Sequence, residues 1–273
     1  MAGLIAAAGR GGAAQGIAPR SKVLPVVVTP PDGRGDPDVL AEGIDFAASH
    51  GAKVISISSV GGASSSLVRA IRTAIAADIT IVAAAGNRPE DAFVGYPAVE
   101  EAVIAVGGID RTGNHAAISV AGPEIDVVAP AVDIYSTGLN AGYRVGTGTS
   151  DATAIVAGAA ALIRSKYPNL PAQEVAHRLT ATAVDKGPPG RDDQYGYGVI
   201  DLVAALTADV PPLGFESSNV TPPATAEAAP DKGDSAGTVR GLATLGVLVA
   251  AGGGYLFWRR RRRADDPPPR VSR

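Results

Sequence analysis

The 273-residue chain contains no cysteine. Disulfide bonds, thiolate-bound zinc and a cysteine nucleophile are therefore excluded from its chemistry. Aromatic residues are also scarce, at 4% of the sequence, although hydrophobic residues make up 46%. A core built from alanine, valine and isoleucine is typical of a buried parallel sheet covered by helices.

Charges of the two signs nearly balance over the whole chain, but they are unevenly placed. The net charge is −3, and residues 259–273 carry seven arginines against two aspartates, so the residues before them are clearly acidic. An acidic domain is a poor partner for the phosphate backbone of nucleic acid. The sequence therefore predicts no nucleic-acid partner, and none of its motifs predicts a cofactor or a metal ion.

Residues 1–208 alternate between predicted strands and helices. The chain is expected to start with a helix, which is followed by a strand-like run at Val23–Val28. Further strands are expected at 54–57, 79–85, 103–108 and 125–130. Further helices are expected at 39–50, 67–77, 150–166, 171–182 and 199–206. This order implies right-handed crossovers and a parallel sheet. The expected fold class is α/β, with a central parallel sheet flanked by helices.

The remaining residues differ from this domain in composition. Residues 209–240 are rich in proline, alanine and serine, which is typical of a linker. Residues 241–258 are uncharged and mostly apolar, and a helix of this length spans roughly 27 Å, enough to cross a bilayer. The arginine-rich tail 259–273 predicts a cytoplasmic end and an extracytoplasmic domain. The alternative for 241–258 is a buried helix of a soluble domain.

The stretch Gly148–Gly158 carries the strongest functional signal. It reads Gly-Thr-Ser-Asp-Ala-Thr-Ala-Ile-Val-Ala-Gly, and the apolar run that follows stops before Pro168. This pattern predicts a buried helix with Ser150 at its amino-terminal end. That end of a helix favours developing negative charge, such as the oxyanion that forms when a serine attacks a carbonyl carbon. The alternative is that Thr149 or Ser150 only caps the helix.

Gly-Thr-Ser-x-Ala-x-x-x-Val-Ala-Gly resembles the serine motif of the subtilisin-like serine proteases, and the resemblance runs from Met1 to about Leu206. It implies a subtilisin-like three-layer fold, serine endopeptidase activity on an extended peptide or protein, and Ser150 as the nucleophile. One departure is Ala154, which stands where the family usually has proline. In architecture, the linker, single span and arginine block resemble the mycosins, which implies a membrane and a type VII secretion complex as partners.

Two further segments resemble binding elements of this family. Ala84-Ala85-Gly86-Asn87 corresponds to the segment that supplies the oxyanion-hole amide, which implies that role for Asn87. The alternative is an ordinary turn after a strand. Ser56–Gly62 resembles the substrate-binding edge, where backbone groups pair with an extended peptide. This implies substrate contacts by Ser58, Ser59, Val60 and Gly61, although an extra serine leaves the register open and an ordinary strand end remains the alternative.

A serine nucleophile needs a base that is itself oriented by a carboxylate, and the family carries these groups in the order Asp, His, Ser. The family's histidine stands in His-Gly-Thr-x-Val-Ala-Gly, and Met1-Ala2-Gly3 matches the end of that motif. The histidine would then fall four positions before Met1, and the aspartate further upstream. We therefore expect the sequence to be a fragment, through a misplaced start or a truncation, and to be inactive by itself.

Only three histidines are present, and none stands in a setting that predicts a replacement base; they are His50, His115 and His177. A second hypothesis follows, in which the chain is a non-catalytic subtilase-like module that binds peptide or scaffolds a complex. An α/β hydrolase is disfavoured, because Ser150 lacks a Gly-x-Ser-x-Gly elbow and that class places its histidine after the serine.

Overall fold

The computed structural model describes residues 1–28 and 35–214. At its centre is a parallel sheet of four strands in the order β1-β2-β3-β4, with β1 at Val54–Ile57, β2 at Thr80–Ala84, β3 at Ile104–Ile109 and β4 at Val127–Pro130. β2 and β3 are buried along their whole length, as the apolar sequence of both strands requires. The predicted α/β class and parallel sheet are confirmed.

Two further strands form an antiparallel hairpin directly after β4. They are β5 at Ile134–Thr137 and β6 at Tyr143–Gly146. The ring centroids of Tyr135 and Tyr143 stack 5.0 Å apart on its exposed side. The hairpin leads into the serine segment, because Thr147 and Gly148 connect β6 to the following helix.

Within the residues that the structure describes, six helices lie around the sheet. Their bounds are α1 Ala2–Ala6, α2 Pro37–Ser49, α3 Ser65–Ala76, α4 Thr149–Lys166, α5 Ala172–Ala181 and α6 Leu202–Thr207, with a 3₁₀ turn at Arg10–Gly12. Side-chain caps set several of these starts. The Asp201 carboxylate accepts the Ala204 N–H at 2.8 Å, so α6 begins at Leu202 rather than at the predicted Val199.

The core lies on both faces of the sheet. On one face, β1 and β2 pack against α2 and α3 through residues such as Ile44, Leu67 and Ile81. On the other face, α4 crosses all four strands, and α5 and α6 cover its outer side. Twelve of the residues of α4 are buried, and most of these are alanine or other small residues that let the helix lie close to the sheet.

The prediction of a strand at Val23–Val28 is wrong. Residues 21–28 form no strand in the structure, and the Val27 side chain is 89% exposed. A strand requires a neighbour that accepts and donates backbone hydrogen bonds, and this run makes no ladder with another described segment. Hydrophobic β-branched residues favour an extended backbone but do not by themselves supply that neighbour.

Other predictions concern residues outside the described ranges. The linker after residue 214, the transmembrane helix at 241–258 and the basic tail at 259–273 all lie there. Residues 209–214, at the start of the predicted linker, form neither helix nor strand. Within the described ranges, every helix is too short or too polar to cross a bilayer.

Candidate active site

The candidate site lies at the amino-terminal end of α4, where this helix meets the carboxyl ends of β1 and β2. The Gly148 N–H donates to the Ala131 carbonyl just after β4, at 2.8 Å, which fixes the chain at the helix start. Ser150 is half-buried in the first turn of α4. The carboxyl ends of parallel strands are where open α/β sheets carry their sites.

Asn87 is held against this helix start by its side chain. Its Oδ1 accepts hydrogen bonds from the backbone N–H of Thr149 at 2.9 Å and from Thr149 Oγ1 at 3.2 Å. An N–H can only donate, so the amide oxygen must face Thr149 and the amide NH₂ group must point elsewhere. Within the described part of the chain, Nδ2 of Asn87 makes no hydrogen bond of its own.

The backbone around Asn87 is fixed by Asp91. The Asn87 N–H donates to Asp91 Oδ2, and the Asp91 N–H donates to the Asn87 carbonyl, both at 2.8 Å. Gly86 makes this turn possible because its φ of 119° is readily adopted only by glycine. A Cβ on Gly86 would also stand 3.0 Å from the Asp91 side chain. The side chain of Asn87 therefore projects from a rigid turn.

These contacts leave two donors unused at the start of α4. The first is Nδ2 of Asn87, and the second is the Ser150 N–H, which has no partner among the described residues and belongs to the first turn of a helix, where N–H groups are unpaired. Two such donors beside a serine hydroxyl can stabilise an oxyanion on a carbonyl that the serine attacks. The sequence-predicted residues Ser150 and Asn87 are thus brought together by the fold.

The hydroxyl of Ser150 has a defined partner in this structure. Its Oγ donates to the Ser58 carbonyl at 3.0 Å, and Ser58 Oγ donates back to the Ser150 carbonyl at 3.3 Å. A backbone carbonyl accepts a hydrogen bond but does not take up a proton. This contact therefore positions the serine without activating it.

None of the three imidazole rings is hydrogen-bonded to Ser150 within the described ranges. His50 Nδ1 lies 2.8 Å from the Phe46 carbonyl, and His177 Nε2 lies 3.0 Å from the Pro211 carbonyl. His115 is half-buried, and this burial, with the nearby charge of Arg88, lowers its pKa below the usual value. The rings of His50 and His177 are thus engaged in their own local structure, whereas Nε2 of His115 is buried without a hydrogen-bond partner among the described residues.

The predicted substrate-binding residues Ser58–Gly61 follow β1 directly, beside Ser150, the candidate nucleophile. Gly61 uses both of its backbone groups, since its N–H donates to the Tyr96 carbonyl at 3.0 Å and its carbonyl accepts from the Tyr96 N–H at 3.1 Å. Ser59 and Val60 make no backbone–backbone hydrogen bond within the described residues. The backbone groups of Ser59 and Val60 are therefore available to a partner. Because neighbouring residues of an extended segment direct these groups to opposite sides, an added peptide strand would pair with one of the two residues.

Two features of the site were not found by sequence reasoning. The first is Thr149, which connects Asn87 to α4. The presence of a hydroxyl residue directly before the serine was the signal that could have identified it. The second feature is an ion pair between Asp151, directly after Ser150, and Arg144 of β6. A carboxylate inside an apolar helix was a signal for Asp151, but nothing local in the sequence identifies its partner.

No group of three or more potential metal ligands occurs among the residues that the structure describes.

Comparison with known proteins places the chain in a family. The profile of the subtilase family, peptidase S8, matches residues 1–198. Subtilisin DY of Bacillus licheniformis is 40% identical over 210 residues, which cover 75% of each chain. The crystal structure of MycP1 without its N-terminal propeptide is similar with a TM-score of 0.68 and 31% identity, over 77% of this chain and 78% of that one.

A third similar structure is fervidolysin from Fervidobacterium pennivorans, a keratinolytic enzyme related to subtilisin. Its TM-score is 0.70 at 30% identity, over 77% of this chain and 36% of that chain. These similarities confirm the predicted subtilisin-like fold and the resemblance to mycosins. The chain belongs to the subtilase family, whose members are serine endopeptidases.

Proposed function

We propose that this protein is a membrane-anchored serine endopeptidase that acts outside the cytoplasm on extended peptide or protein segments. The observation that carries the proposal is the arrangement at the start of α4, where the Ser150 hydroxyl lies beside an N–H of its own backbone and the Asn87 amide anchored by Thr149. Such a set of groups suits acyl transfer, in which charge develops on a carbonyl oxygen.

In the proposed reaction, Ser150 Oγ forms a bond to the carbonyl carbon of the scissile peptide. The carbonyl oxygen becomes negatively charged and accepts hydrogen bonds from the Ser150 N–H and Asn87 Nδ2. The hydroxyl proton passes to a base, which returns it to the leaving amine as the C–N bond breaks. Water then attacks the acyl-enzyme in the same way, and it releases the new carboxyl end and restores the hydroxyl.

The base and its carboxylate are proposed to come from residues that precede Met1. The support is the motif at Met1–Gly3, which resembles the end of the family's histidine segment, together with the present hydrogen bond of Ser150 to the Ser58 carbonyl. An imidazole near Oγ would compete with that carbonyl for the hydroxyl proton. The 273 residues by themselves are therefore proposed to be inactive.

The activity is tested with two proteins, the 273-residue chain and a chain extended by the in-frame codons upstream of Met1. Each is assayed on peptide esters beside its Ser150→Ala variant. We expect serine-dependent hydrolysis from the extended protein only. Hydrolysis by the 273-residue chain above its Ser150→Ala control would contradict the proposed origin of the base, and an inactive extended protein would contradict the endopeptidase function.

Membrane attachment and a place in type VII secretion are proposed for the same protein. Support comes from the apolar run 241–258 with the arginines that follow it, and from the similarity to MycP1. When protease is added to intact cells that express the protein with a tag after Arg273, the domain should be digested and the tag should remain. Protection of the domain would contradict the orientation, and release of the intact protein into the medium would contradict the anchor.

A second candidate function is a peptide-binding module without catalysis. The observation that favours it is the Ser150 hydroxyl directed at a backbone carbonyl, with the unpaired edge at Ser59 and Val60 beside it. Under this alternative the extended protein binds peptides without cleaving them, and Ser150→Ala leaves the affinity unchanged. The hydrolysis assay above therefore separates the two functions.

A further inference from the structure

Asp151 places a carboxylate next to the candidate nucleophile, in the first turn of α4. Its side chain is 3% exposed, and its Oδ1 accepts a charged hydrogen bond from Nη2 of Arg144. Arg144 is 35% exposed and comes from β6, opposite Ser136 of β5. The pair therefore joins the interior of the site to the hairpin at its rim.

The space for this ion pair is provided by Gly146. A Cβ on that residue would collide with both the Arg144 guanidinium and the Asp151 carboxylate. The two charged groups therefore pack over the glycine backbone, two residues before Gly148. A buried carboxylate without a cation is costly, so the glycine and the arginine are needed for Asp151 to be charged in this place.

The charges at the start of α4 can be summed. The helix dipole contributes about +0.5 of an elementary charge at this end, and this is the field that favours an oxyanion at Ser150. The Asp151 carboxylate contributes a full negative charge in the same turn, which outweighs the dipole. The guanidinium of Arg144 cancels the carboxylate and returns the local sum to a positive value.

In the 273-residue chain, one other charged group among the described residues interacts with this pair, the α-amino group of Met1 before α1. Burial lowers its pKa most, the charge of Arg144 lowers it further, and Asp151 opposes both. This amine therefore holds its proton less firmly than an ordinary one, whereas a guanidinium stays charged at every physiological pH. Arg144 is the permanent cation beside Asp151.

We propose that Arg144 is a charge-compensating positioning residue, which neutralises Asp151 so that the start of α4 remains electropositive toward an anion bound at Ser150. This inference rests on the proposed function, because it concerns the oxyanion of that reaction. It assigns a role to an ion pair that touches neither the substrate nor the reacting atoms. Its effect is specific for bound species that carry a negative charge at Ser150.

A peptide boronic acid and the matched peptide amide test this role in the 273-residue chain. Ser150 Oγ forms a bond to boron, its proton goes to the buffer, and the adduct carries one negative charge, whereas the amide stays neutral. We expect Arg144→Met to weaken boronate binding about tenfold. This is the size of effect expected when one charge is removed from the surroundings of an anion at a partly buried site. Affinity for the amide should stay within about twofold of its value in the unmodified chain.

Two further variants separate the effect of charge from the effect of side-chain shape, so that the test does not rest on the single Arg144→Met variant. Asp151→Asn removes the opposing charge and should leave boronate binding equal or stronger. Arg144→Met combined with Asp151→Asn should recover most of the affinity lost in the single arginine variant, because both charges are then absent. Arg111→Met is the matched control, since Arg111 pairs with Asp133 on the exposed surface, 3.7 Å away, and should change nothing.

The outcomes distinguish the two proposals. Equal loss of boronate and amide binding in Arg144→Met, or no recovery in the double variant, would show a purely structural ion pair and overturn the inference. A boronate affinity that Arg144→Met leaves unchanged would also overturn it. If boronate binding by the protein extended upstream of Met1 does not depend on Ser150, as judged against its Ser150→Ala variant, the proposed function fails together with the inference.

Discussion

The side-chain oxygen of Asn87 lies 2.9 Å from the backbone nitrogen of Thr149 and accepts its hydrogen bond. This contact joins the turn after β2 to the start of α4, and it fixes which end of the Asn87 amide faces away from Thr149. The residue that precedes the candidate nucleophile thereby orients the candidate oxyanion donor. Because a backbone N–H supplies the bond, no side-chain substitution at Thr149 other than proline removes the donor itself.

Asn87→Ala in a catalytically complete form should lower kcat about 100- to 1,000-fold with little change in KM, the range typical of one oxyanion-hole donor, including the asparagine of subtilisin itself. Asn87→Asp should be at least as severe, because one oxygen keeps the contact with Thr149 and the other presents negative charge to the oxyanion. Steady-state kinetics on a peptide ester measure both. Asn114→Ala, in an exposed turn, is the control, and a fall of similar size there would refute the assignment.

Thr149→Val should destabilise the fold by about 1–3 kcal/mol, the usual cost of leaving a buried polar group without its partner. The buried hydroxyl accepts the Gly86 N–H at 3.3 Å and has the Gly86 carbonyl at 3.3 Å as an acceptor. Valine keeps the shape and removes these bonds. Urea denaturation gives the free energy of unfolding.

Thr149→Ser is the matched variant for that measurement, since it keeps the hydroxyl and removes only a methyl group. We expect it to be more stable than Thr149→Val. The reverse order would mean that the methyl packing, and not the hydrogen bonds to Gly86, holds the helix start against β2.

Asp126→Asn should make the fold more stable at pH 8 and leave it unchanged near pH 4. Burial raises the pKa of Asp126 to about 6, against the opposing effects of the Ala105 N–H and the charge of Arg191. The folded protein therefore holds its proton over a window from about pH 4 to 6 in which the unfolded chain has released it. Stability falls as pH rises through this window, by roughly 2–3 kcal/mol in all, and asparagine removes this fall.

Thermal or urea unfolding across pH 4–8 measures the difference between Asp126→Asn and the unmodified chain. The exposed Asp45→Asn is the control and should follow the unmodified protein at each pH. A constant offset between the Asp126→Asn and unmodified curves would show that packing at Asp126, rather than its ionisation, determines the effect.

Arg164→Met should cost about 1–3 kcal/mol of folding free energy, because it removes three hydrogen bonds that a buried guanidinium makes. The guanidinium of Arg164 is buried in α4 and donates to the Asp78 carbonyl at 2.6 Å, to Asp78 Oδ2 at 2.8 Å and to the Leu170 carbonyl at 2.7 Å. It thus connects α4 to the turn before β2. Arg72→Met on the exposed side of α3 removes the same charge and should cost under about 0.5 kcal/mol.

The sequence alone was sufficient to predict the features that repeat locally or match a motif. Alternating apolar strands and helices predicted the parallel sheet, and the serine motif placed Ser150 at a helix start. The run Val23–Val28 misled because extended propensity does not supply a hydrogen-bonding neighbour.

Contacts between distant segments were beyond sequence reasoning. The hydrogen bond of Ser150 to the Ser58 carbonyl joins residues 92 positions apart, and a backbone acceptor carries no signal in side-chain identity. The pairing of Arg144 with Asp151 depends on the small size of Gly146, and only the packed structure shows this.

The two halves of the candidate site, Asn87 and Thr149, are 62 positions apart and meet only after α4 has docked on the sheet. α4 contacts all four strands, so its docking requires contacts that are distant in sequence and slow to form. A partly folded molecule therefore has no oriented amide beside its serine. In a protease, such an arrangement ties the formation of the oxyanion site to the completion of the fold.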